Sequence, residues 1–184
     1  KIPAQPSLIR LCLYLFFTLC YISAMIAQTF TAIPFGFAGR IVEVESDSNH
    51  GLPAFNIVGM ANKTVSESRE RVKSAIVNSN FSFPATKTTV NLAPAELLKD
   101  GAFFDLPIAL SVLVLSGQLL STDLTDRLFV GELSLDGKLR PVRGIINIVQ
   151  AAREAGFKEV FLPQANLPQA SLVQNIKLIG LTSL

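Results

Sequence analysis

The run "IALSVLVLSG", which follows Pro107, constrains this chain more than any other stretch. It reads as a helix that is apolar on every side until Gly117 ends it. Such a helix has no face for water, so it belongs at the centre of the molecule with other elements packed around it. The composition permits this. Hydrophobic residues make up 49% of the 184 and charged residues only 16%, which excludes a disordered chain. The length suits one ordinary domain with a sizeable core.

The formal charge of +2 is not a nucleic-acid signal in itself. Lys1 and Arg10 are the only charges before Met25, and removing them from the 16 basic residues leaves 14, equal to the 14 acidic ones. Those two charges precede "LCLYLFFTLCYISAMIA", an uncharged stretch that would span ~25 Å as a helix. Three readings stay open for residues 1–24: sequence upstream of a true start at Met25, a signal or anchor, or a buried helix. The segment is set aside from the domain at 25–184. Cys12 and Cys20 fall in it, with no His or second Cys at a metal-ligand spacing, and are read as small hydrophobes.

From Phe30 to Met60 two extended runs, "FGFAGRIVEVES" and "LPAFNIVGM", flank "DSNHG", and the pattern predicts a hairpin with Asn49, His50 and Gly51 at its tip. His50, the only histidine, is expected on the turn, facing solvent. Thr64 and Glu67 have the spacing of a capping box that opens a helix. Val72 and Ile76 would face the core, with Glu67, Glu70, Arg71 and Lys73 toward water. "TKTTVNLA" follows as a strand. "LFVGELSLDGKLRPV" is two strand-like runs joined by Asp136 and Gly137, a dipeptide suited to a tight hairpin turn. "IINIVQAAREAG" predicts a helix ending at Gly156, "KEVFLP" a strand, Pro168 to Gln174 a short helix and "IKLIGL" a last strand. Interleaved helices and strands with hairpins place the domain in the α/β or α+β class, with a sheet that is not purely parallel.

Few residues offer chemistry. "GELSLDGK", Gly131 to Lys138, has one residue too many for a P-loop and ends in Leu139 where Ser or Thr must hold magnesium, so it encodes no nucleotide site. Ser111, Ser116 and Ser134 lack a convincing base and are read as structural. Glu96, Asp100 and Asp105 cluster in sequence around Lys99, and a capping Asp105 beside a solvated Lys99 and Asp100 corner explains them without a metal.

Two stretches together carry a resemblance. "GELSLDGKLRPVRGIINIVQAAREAGFKEVFLP" resembles the C-terminal half of a Lon-type peptidase domain. "SRERVKSAIVNSNFSFPATKTTVNLAPAELLKDGAFFDLPIALSVL" resembles the N-terminal domain of the magnesium-chelatase-like AAA+ ATPases of the ComM/YifB-like group. The match runs from about Met25 to Leu184. It implies an α+β, two-layer Lon-peptidase-like fold, akin to domain 2 of ribosomal protein S5, with a mixed sheet and hairpins.

The Lon family's catalytic serine, two residues after the glycine of its D-G-P-S-A-G corner, falls on Phe103. Its lysine partner falls on Ile146. Neither side chain can be a nucleophile or take a proton. The resemblance therefore implies a non-catalytic module, without cofactor or metal of its own. It precedes a motor that would bind ATP and Mg and lies outside a reading frame truncated at Leu184. Expected partners are that motor, a homo-hexamer and DNA, with a membrane only if residues 1–24 are a genuine anchor. The expected location is cytoplasmic. Candidate phosphate contacts are Arg69, Arg71, Lys73, Lys138, Arg140 and Arg143. A purely structural ring tier and a diverged peptidase are the alternatives.

Overall fold

The computed structural model describes residues 26–59, 63–99, 101–120 and 124–184, with the backbone alone for 63–66. The apolar segment at 1–24, both cysteines, Asp100 and the Thr64 side chain of the capping box lie outside the described residues.

The strands are β1 (Ala27–Phe35), β2 (Ala38–Asn49), β3 (Ala54–Val58), β4 (Lys87–Ala93), β5 (Arg127–Phe129), β6 (Glu132–Leu133), β7 (Leu139–Arg140), β8 (Glu159–Pro163) and β9 (Lys177–Leu181). The helices are α1 (Lys63–Asn78), α2 (Asp105–Leu115), α3 (Ile145–Glu154) and α4 (Leu167–Ala170). Seven strands form one sheet in the order β3-β4-β2-β1-β5-β8-β9, and β6 pairs with β7 apart from it. β1, β2 and β4 run antiparallel to their shared neighbours, whereas β3 on β4, β5 on β1, β8 on β5 and β9 on β8 are parallel. The sheet is mixed, and the fold is α+β.

The expected hairpin with its tip at His50 does not form. β2 pairs with β1 through a turn at Gly36 and Phe37, inside the stretch read as one extended run. Gly36 takes φ 58°, a left-handed conformation that most side chains resist, and a glycine at the first central position suits the tight turn of a two-residue hairpin. β4 then inserts between β2 and β3, so β3 becomes an edge strand parallel to β4. His50 is exposed on the β2–β3 connection, as expected of it.

The all-apolar helix behaves as its composition requires. Every residue of α2 except Leu110 is buried, against β1, β2 and α1. Successive strand residues point to opposite faces, and β2 uses both. Val42 and Val44 join Val72, Ile76, Ile108 and Val112 from α1 and α2 in one core. Ile41 packs instead with Ile145, Ile148, Leu128 and Leu162 in a second core under α3. β1 and β2 thus carry helices on both faces. The Asp136 hairpin, the α3 helix stopped at Gly156 and the β8 and β9 strands form at the expected places. Among the described residues no helix is long and apolar enough to cross a membrane.

Candidate functional site

The corner at 101–105 holds the position that the Lon-type resemblance assigns to a nucleophile. Gly101 adopts φ 100°, and a Cβ there would lie 2.4 Å from the Phe103 ring. Only glycine lets the ring fold back over the corner. Phe103 is half-buried and touches both cores, edge-on to Phe104 at 6.5 Å between ring centroids. Its carbonyl accepts the Gly131 N–H at 3.3 Å. Ile146, on the first turn of α3, packs against the second core. The two positions assigned to a nucleophile and its base are packing positions in this chain.

Asp105 does not cap α2. The N-cap position is Phe104, and no side chain bonds the free N–H groups there. The Asp105 carboxylate is fully buried and accepts from Arg71 Nε at 2.8 Å and Nη2 at 3.1 Å, and from the Leu133 N–H at 3.1 Å. Arg71 Nη2 also donates to Ser68 Oγ at 2.8 Å. Burial pushes the carboxyl above its ordinary range, opposed by the hydrogen bonds from Arg71 and Ser68. The Arg71 guanidinium moves up, held charged chiefly by its bond to Asp105. This cluster ties α1, α2 and β6 together, and the tertiary pairing turns Arg71 inward where helical periodicity places it toward water.

Lys99 also departs from expectation. It is buried, and its Nζ donates to the Pro94 carbonyl. Desolvation pushes its pKa below the ordinary lysine range, with Glu96 opposing. Glu96 itself is exposed, and no group of three His, Cys, Asp or Glu suited to a metal occurs among the described residues. Ser111 Oγ is spent on the Ile108 carbonyl at 2.9 Å and Ser46 Oγ at 2.6 Å. Ser134 Oγ bonds Asp136 at 2.5 Å within the β6–β7 turn.

Four of the six candidate phosphate contacts sit in ion pairs, Arg71 with Asp105 as above. Arg69 pairs with Glu70 at 3.5 Å, Lys138 with Asp136 at 2.8 Å and Arg140 with Glu132 at 3.4 Å. Lys73 is exposed with its Nζ 6.0 Å from the Phe83 ring centroid, beside a groove of about 470 Å³ between β3 and α1 that Arg69, Phe55 and Pro84 also line. Arg143 is exposed and makes no ion pair among the described residues. Phe35, Phe37 and Arg40, at the β1–β2 tip, are absent from the sequence-derived candidates. Phe35 is 54% exposed and Phe37 wholly so, and the Arg40 guanidinium lies 5.6 Å from the Phe35 ring centroid. The signal for them is "FGFAGR", two aromatics about a glycine inside an alternating run.

The model of the family described as subunit ChlI of Mg-chelatase matches residues 44–166. Competence protein ComM of Haemophilus influenzae is 41% identical over 150 residues, covering 82% of this chain and 29% of the relative. YifB of Escherichia coli is 42% identical over 132 residues, covering 72% of this chain and 26% of the relative. A Lon protease of Chloroflexus aurantiacus is 27% identical over 138 residues, 70% of this chain and 16% of the relative, in keeping with the Lon-like fold. The chain spans less than a third of the length of ComM or YifB. With most of its length matched by the family model and both relatives near 40% identity, the chain belongs to the Mg-chelatase ChlI-like family that includes ComM and YifB.

Proposed function

We propose that this chain is a non-catalytic module of a Mg-chelatase-like AAA+ ATPase and that it contributes nucleic-acid contact to that motor. The observation that carries the reading is that Phe103 and Ile146, the positions that the Lon-type resemblance assigns to a reactive pair, pack against the cores. A domain that keeps a hydrolase frame without its reactive side chains is left with binding and assembly as uses. ATP and Mg belong to the motor. The residues here do not fit them: the nearest P-loop-like run folds as the β6–β7 hairpin, with Lys138 held by Asp136.

The competence name of the Haemophilus relative accords with DNA handling, and we extend that to this chain. Of the six candidates, its phosphate contacts are then the two without an ion pair among the described residues, Lys73 and Arg143, with Arg69, Lys138 and Arg140 reaching phosphate only by exchanging their carboxylates. Contact by two or three cations predicts that raising salt from about 50 to 200 mM weakens DNA binding roughly ten- to fortyfold, as anisotropy of a labelled duplex would record. Binding that ignores salt, or no binding to either a duplex or a single strand, would sink this reading. Exposed Leu98, Leu120, Leu135 and Leu172 favour a second one, a tier holding six motors in register. That role predicts higher-order mass by light scattering in the absence of DNA.

A further inference from the structure

We infer that the β1–β2 hairpin tip is a stacking site for single-stranded nucleic acid, with Phe35 and Phe37 as platforms and Arg40 and Arg143 as phosphate contacts. The inference rests on the nucleic-acid reading above and goes further, because it names the strand state and the residues.

Phe37 stands fully in water at the turn, and Phe35 next to it is half in water. A phenyl ring left there forfeits the transfer free energy that burial would supply. Two such rings one residue apart differ from singly scattered apolar groups. The tip is nevertheless held still. Asn147 Nδ2, on the first turn of α3, donates to the Gly36 carbonyl at 3.3 Å and the Ala38 carbonyl at 3.2 Å. Rings on a pinned turn can receive a ligand with little ordering cost.

The charged residues of the two segments that build the tip are of one sign. Arg40 lies with Phe35 on one face of the hairpin, its guanidinium over the ring. On the other face the Gly144 backbone abuts Pro34, where an added Cβ would come within 2.4 Å of the Pro34 ring, and the residue before it is the exposed Arg143. That loop is fixed too: buried Asn166 both accepts from the Val142 N–H and donates to the Val142 carbonyl, each at 2.9 Å. Residues 33–41 and 141–150 contain no Asp or Glu. Arginines flanking two exposed rings, with no carboxylate in either segment, complement a ligand that alternates flat apolar faces with negative charge. A single strand has that form. A duplex hides the faces of its bases, and a protein partner would have to bring carboxylates of its own.

The test is fluorescence anisotropy of the full chain with a labelled oligo-dT about 16 nucleotides long and with a duplex of equal length. Phe37→Ala is expected to weaken oligo-dT binding roughly five- to a hundredfold and leave duplex binding unchanged. Phe37→Tyr should retain affinity and Phe37→Leu should not, because stacking needs the ring. Full exposure of Phe37 means that these variants keep the fold, which circular dichroism checks. If the unaltered chain binds oligo-dT and neither Phe37→Ala nor Phe37→Leu weakens it, the stacking site is wrong while nucleic-acid contact stands. No binding of either DNA by the unaltered chain overturns both readings. Loss of self-association in Phe37→Ala with unchanged oligo-dT affinity makes the tip a contact between copies and overturns the inference.

Discussion

Asp105 shows how one buried charge organises its surroundings. A carboxylate with no exposed surface is tolerable because a two-toothed guanidinium and a backbone N–H meet it. Arg71→Ala would leave that charge buried with only Ser68 and the Leu133 N–H to meet it, at a cost of about 3 kcal/mol, the low end for a broken buried pair since Arg71 keeps some exposure. Urea unfolding followed by circular dichroism would register it as a lower midpoint with an unchanged slope. Lys99 is another buried charge at this corner, and its head donates to the Pro94 carbonyl. Both residues read from sequence as surface punctuation. Their burial depends on neighbours up to 34 positions away, which local pattern does not contain.

At the scale of elements, the parallel half of the sheet is laced by charge. Arg127, Glu159 and Lys177 stand in register on β5, β8 and β9, and Glu159 accepts from Arg127 Nε at 2.9 Å and from Lys177 Nζ at 2.6 Å. Lys177 and Arg127 hold the Glu159 carboxyl below its ordinary value, with Lys177 the larger cause. A carboxylate depressed in the folded state stabilises it above the unfolded pKa, and that contribution fades as pH falls through the folded pKa. Stability should therefore begin to drop as pH goes below about 4.5, the ordinary glutamate value, and Glu159→Gln should flatten that acid limb. Unfolding midpoints measured from pH 7 down to about 2 check this. If the variant loses stability in parallel with the parent, the ladder contributes nothing to the acid limb. Hairpin geometry belongs to the same scale: alternation in β2 identifies a strand, but it does not say whether β1 or β3 lies beside it.

For the whole molecule, Phe103 is the join. It touches the core under α1 and α2 and the core under α3, the two sides of the sheet at β1 and β2. Phe103→Ala should cost about 3 kcal/mol, the low end for losing a buried phenyl because this one is half-buried, and a lower thermal midpoint by circular dichroism would show it. A midpoint unchanged from the parent would mean that the corner packs without the ring. The elements legible in the sequence were those written in local chemistry. The apolar α2 had to be buried, Asp136 and Gly137 had to turn, and α3 had to stop at Gly156, because period, turn preference and capping act within a few residues. The family-level signal placed Phe103 and Ile146 where reactive groups would stand. Tertiary structure alone decided that β4 enters between β2 and β3, that Arg71 turns inward to Asp105, and that Phe35 and Phe37 share an exposed tip with Arg40. Those outcomes depend on which distant residues become neighbours, and strand pairing and charge pairing are contests among partners that no short window of sequence can rank.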